Sequence, residues 1–160
     1  MRQTSVLAIL TLLAGVAAPA AAQAPTVDWQ IAAAVLPLPD SMRAGAEVLG
    51  HRTAGGPLVQ LRAGTNPMIC LADDPNVEGY AAHCYHKSLA AFMERGRSLR
   101  AAGITKRAAV DSARLAEITA GTLKMPKEPR NLCIVTGTGF DAVTGQIGGA
   151  YTRWVVYTPY

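Results

Sequence analysis

His83-Cys84-Tyr85-His86 is the densest run of reactive side-chain types in the chain, and two of the three histidines lie in it, three residues apart. At the start of a helix, His83 and His86 would share a face and offer two imidazole nitrogens to a metal. Asp73 and Asp74 precede them in the same stretch. They would complete a nitrogen–oxygen ligand set, or set up one histidine as a general base. The plainer reading makes the histidines polar residues at a helix start and the aspartates turn formers. No His-Glu-x-x-His and no Cys-x-x-Cys occurs. Asp73, Asp74, His83 and His86 therefore stand as metal candidates, with no metal favoured and no cofactor expected. A nucleophilic Cys84 activated by His83 or His86 is disfavoured, because nucleophile and base usually converge from distant parts of a chain. An exported thiol would also be prone to oxidation.

Cys70, Cys84 and Cys133 are the only cysteines. Cys70 ends an expected strand and Cys84 lies just before an expected helix, so a Cys70–Cys84 bridge would staple the intervening loop. Pairings through Cys133 are the alternatives. Closing a loop of this size is worth roughly 3 kcal/mol in the chain-entropy model. Cys133 falls in an alternating apolar strand and is expected to be a small buried thiol.

Arg95, Arg97, Arg100, Lys106 and Arg107 form the one dense basic cluster. It suits a solvated helix face or a patch for an anionic surface or polymer. No aromatic motif for RNA interleaves it, so nucleic acid is not an expected partner. The glycines between Gly137 and Gly149 lack a following Gly-Lys-[Ser/Thr] and read as a flexible loop, not a phosphate cradle. No Gly-x-Ser-x-Gly elbow occurs.

The elements that must position these residues follow from patterning. Asp28 to Val35 reads as a short helix capped by Asp28 and stopped by Pro37 and Pro39. Asp40 to Ala44 reads as one more turn. Strands are expected over Glu47–Arg52, Pro57–Arg62 and Met68–Leu71, joined by glycine-bearing turns into an up-down-up meander. Leu89, Phe92, Met93, Gly96 and Leu99 recur at helical spacing, predicting a helix over roughly Tyr85 to Ala102 with Gly103 as its stop. A second helix is expected from Thr105 to Ala120, ended by Gly121. Arg100 and Asp111 fall on the inward faces of these helices, and an Arg100–Asp111 ion pair across the helical hairpin is expected. The alternative has Asp111 pairing locally with Arg107 or Arg114. Leu132–Thr136 and Tyr151–Thr158 read as a closing pair of strands. In the second, Trp154 and Val156 alternate with Tyr151, Val155 and Tyr157. The fold class is thus α+β. The expected antiparallel sheet has about five strands, an N-terminal meander plus a C-terminal hairpin, with a two-helix hairpin on one face.

Residues 1–22 have the order of a secretory signal peptide: Arg2, an apolar run from Val6 to Val16, then small residues ending Ala20-Ala21-Ala22. The run is too short to span a bilayer. Residues 23–160 are expected to form a single exported domain, periplasmic or extracellular, with no transmembrane segment. The chain ends within an apolar strand, as an edge strand or a truncation would. With 50% hydrophobic and 16% charged residues, the 160-residue chain is neither disordered nor collagen-like. Its formal charge of +4 falls to +3 without Arg2. Two function classes follow. The favoured one is a non-enzymatic module that binds a protein, polymer or surface. The alternative is a small metal-assisted hydrolase using Asp73, Asp74, His83 and His86.

Overall fold

The computed structural model describes residues 24–159; the expected signal peptide lies outside them. The elements are helices α1 (Val27–Ala34) and α2 (Asp40–Arg43), strands β1 (Glu47–His51), β2 (Leu58–Arg62), β3 (Met68–Leu71) and β4 (Tyr80–His86), helices α3 (Ala90–Ala101) and α4 (Arg107–Thr119), then β5 (Arg130–Gly137), β6 (Gly139–Asp141), β7 (Gln146–Gly148) and β8 (Tyr151–Tyr157). No helix among the described residues is long and apolar enough to cross a membrane.

The fold is α+β, as its patterning indicates, but the sheet is mixed. Six strands run in the order β2-β1-β3-β4-β5-β8. β1 and β2 form the expected hairpin. β3 then lies on the other side of β1 and parallel to it, which replaces the expected meander. The remaining neighbours are antiparallel. The crossover places Val48 of β1 beside Cys70 of β3, extending one apolar face across both strands.

β4 is the strand that patterning missed. Tyr85 and His86 satisfy a helical period as well as a strand, but both neighbours of β4 supply hydrogen-bonding edges. Met68–Leu71 pairs with one side, and Leu132–Gly137 with the other. A central strand that satisfies donors and acceptors on both sides overrides a helical period shared by only a few residues. The helix consequently begins later. His86 accepts from the Ser88 N–H at 3.1 Å, capping a 3-10 turn at Lys87–Leu89 that feeds α3.

The period of two puts alternate residues on opposite faces, and helices cover both, not one. Ala34, Val35 and Leu38 pack with Val48, Cys70 and Cys84 on the first face. Ile69, Tyr85, Leu132 and Ile134 pack with Leu89 and Met93 on the second. Each such aliphatic side chain, once fully buried, contributes roughly 1.5–3 kcal/mol. Thr26, not Asp28, caps α1, its hydroxyl accepting from the Trp29 N–H at 3.3 Å. Gln30, 1% exposed, ties α1 to the sheet. Its amide donates to the carbonyls of Pro25 and His51 and accepts from the His51 N–H, each at 2.8 Å.

The glycine-rich stretch is ordered as the hairpin β6–β7. Phe140 and Ile147 anchor it on Trp29 and Tyr80, with Trp29 and Phe140 edge to face at 5.3 Å. Gly103 takes φ +91° after α3 and Gly121 takes φ +73° after α4. Both stops are the expected ones, because a left-handed residue there is nearly strain-free only as glycine.

Candidate functional site: a cationic cleft between the sheet and the helical hairpin

Strand geometry separates the two histidines. His83 shares a face with Tyr85, toward α3. His86, three residues on, falls on the opposite face with Cys84. The expectation that both share a helix face is therefore corrected. Asp73 accepts from the Ala81 N–H at 2.9 Å, and Asp74 accepts from the Asn76 N–H at 3.0 Å in a turn. These carboxylates shape the loop before β4. Among the described residues, no group of three or more His, Cys, Asp or Glu side chains converges to hold a metal.

Asp73, Asp74 and His83 nonetheless line a pocket, with His51, Glu94 and Arg97. Its volume is about 800 Å³. Burial pushes the Asp73 carboxyl above its ordinary range, opposed by its Ala81 hydrogen bond. Burial pushes the His83 imidazole down, and the Arg153 charge adds to the effect. His51 is held against the Gly56 carbonyl through Nδ1 at 2.8 Å.

A second pocket, of about 720 Å³, continues from the first, sharing Leu71, His83 and Arg97. Its floor is the apolar sheet face of Leu132, Ile134 and Val155, and its walls carry Met93 of α3 and Ile118 of α4. Around this floor stand Arg97, Arg100, Arg107, Arg114 and Arg153, with Asp111 as the one carboxylate in the lining. α3, α4 and β8 all contribute.

The arginines are held differently. Arg114 is 6% exposed and its guanidinium sits 3.9 Å over the Phe92 ring. It donates to Asp111 at 2.5 Å, and its Nε–H has no acceptor among the described residues. Gly96 makes this crossing possible, since a Cβ there would stand 3.0 Å from Arg114 Nη1. Asp111 also pairs with Arg107 at 3.6 Å. The expected Arg100–Asp111 pair does not form. Residues one helical turn apart on α4 reach Asp111 without crossing between helices, and Arg100 instead donates to the Gly96 carbonyl at 3.2 Å. The helices are tied together elsewhere, by Arg95 on Glu117 with contacts of 2.6 to 2.9 Å. Arg97 donates to the Tyr85 hydroxyl at 3.4 Å. Among the described residues, neither Arg100 nor Arg153 has a carboxylate partner.

The basic cluster seen in sequence thus divides. Arg95 is consumed by the helix–helix pair, while Arg97, Arg100 and Arg107 line the cleft. Arg114 is named in sequence only as a local partner of Asp111, a pair that forms, and neither it nor Arg153 is foreseen as a cleft residue. A glycine in mid-helix signals the first, since it marks where a neighbouring side chain passes. Alternation signals the second, because Arg153 falls in the set of Val155 and Tyr157.

Cys70 and Cys84 form the expected disulfide. Cys133 is free, and only partly buried. Its cross-strand neighbour Trp154 is 65% exposed.

Comparison with known protein families, curated proteins and solved structures finds no match to this chain.

Proposed function

We propose that the domain is a non-enzymatic binding module that takes an amphipathic anion in the cleft between the sheet and α3/α4. The ligand class is a carboxylate or phosphate attached to an apolar body. The observation that carries this reading is the lining itself: five arginines and one carboxylate around an apolar floor. Arginine forks suit carboxylates and phosphates. The volume is that of a small-molecule site. Export to an oxidising compartment, read from residues 1–22, is supported by the bridged cysteines.

The hydrolase alternative lacks such support, because His86 lies on the far face of the sheet from His83. Calorimetry with octyl phosphate, octanoate and uncharged 1-octanol tests the proposal. The two anions are expected to bind and octanol to bind at least tenfold more weakly. Arg100→Glu with Arg153→Glu is expected to weaken anion binding by about tenfold or more, from two charge reversals at partly screened distances. Equal binding of octanol and octanoate, or unchanged affinity in the double variant, would overturn it.

A further inference from the structure

The three cysteines lie in one row across the sheet. Cys70 on β3 is opposite Cys84 on β4, and Cys84 is opposite Cys133 on β5. Directly opposed residues share a face and stand about 4.5–5.5 Å apart at Cβ. The bridge therefore has a free thiol beside it, on the side of Cys84 away from Cys70. A thiol placed there lies one strand from Cys84, on the side of the bridge opposite Cys70. The environments along the row differ. Cys70 and Cys84 are 0% exposed beneath α1. Cys133 is partly exposed, beside Trp154 on β8.

We infer that Cys133 is an internal exchange thiol that moves the disulfide one strand across the sheet. The Cys133 thiolate attacks Cys84 Sγ, the Cys70–Cys84 bond breaks, and a Cys84–Cys133 bond forms. Cys70 leaves as the thiolate and takes up the proton that Cys133 gave to solvent. One disulfide and one thiol are present before and after, so no oxidant or reductant is consumed. The exchange makes the partly exposed Cys133 the point at which the buried bridge communicates with solvent. Burial raises the Cys133 thiol above its ordinary range while its hydrogen bond with Trp154 opposes this, so the exchange is slow near neutrality.

The test follows the bridge in time. The full chain is exported, purified without reductant and held at pH 8.5. Samples are acid-quenched, unfolded in acidic guanidinium, labelled with N-ethylmaleimide and mapped by mass spectrometry. The expected result is label on Cys133 at the start, then growing label on Cys70 together with a Cys84–Cys133 linked peptide. The rate should not change over a tenfold range of protein concentration. In Cys133→Ser, Cys70 should stay unlabelled throughout. Label confined to Cys133 at all times, or a rate proportional to protein concentration, would overturn the inference.

Discussion

Asp111→Asn separates the two roles that the cleft gives to charge. Asp111 neutralises Arg114 at 2.5 Å and Arg107 at 3.6 Å, and it is the one carboxylate lining the second pocket. Asparagine keeps the shape and one acceptor oxygen but removes the charge. For stability, the loss bears on a buried guanidinium paired with a half-exposed carboxylate. Solvent screening reduces it to roughly 1 kcal/mol, or about 2–5 °C in Tm for a domain of this size. For binding, the sign reverses. An anion about 8 Å from position 111, at an effective dielectric constant near 40, is relieved of about 1 kcal/mol of repulsion. That is about a fivefold gain in affinity. Calorimetric titration with octyl phosphate, alongside thermal unfolding followed by near-ultraviolet circular dichroism, measures both. The gain should shrink as salt approaches 0.5 M, where the screening length falls to a few ångströms. Weaker or unchanged binding at low salt, in a variant that is still folded, would refute an electrostatic site.

Removal of the bridge by Cys70→Ala with Cys84→Ala should lower unfolding free energy by about 2–4 kcal/mol in urea titrations, since the bridge closes a short loop in the unfolded chain. Gln30→Leu should cost about 2 kcal/mol or more, because the His51 N–H and the Pro25 and His51 carbonyls all lose a partner inside the protein. His83 has its pKa lowered on folding, so the unfolded chain binds the proton first as pH falls. Its contribution to stability is complete above the unfolded value of about 6.5 and declines on acidification below it. Urea titrations between pH 7.5 and 5 should show a shallower decline in His83→Gln than in the parent, and equal slopes would refute the assignment.

Local chemistry in the chain determined much of this protein. The positive-φ stops at Gly103 and Gly121, the β1–β2 hairpin and the closing pair β5–β8 need only short-range steric and pairing rules. Two thiols flanking one loop suggested the Cys70–Cys84 bridge, while pairings through Cys133 stayed open until the structure showed it. Tertiary structure decided what depends on neighbours distant in sequence. Tyr85 and His86 fit either a helix or a strand, and pairing with both β3 and β5 selected the strand. That choice, through the two-residue period, sent His83 and His86 to opposite faces and dispersed the suspected ligand set. The parallel placement of β3 beside β1 has no local signature, because a crossover is paid for only once its long-range pairing forms. Alternation in β8 sorted its residues into two sets, but only packing against α3 turned Val155 and Tyr157 toward the core, set the exposed Arg153 on the same face, and left Trp154 in solvent. The same packing gathered arginines from α3, α4 and β8 around one apolar floor, a grouping that spacing along the chain does not encode.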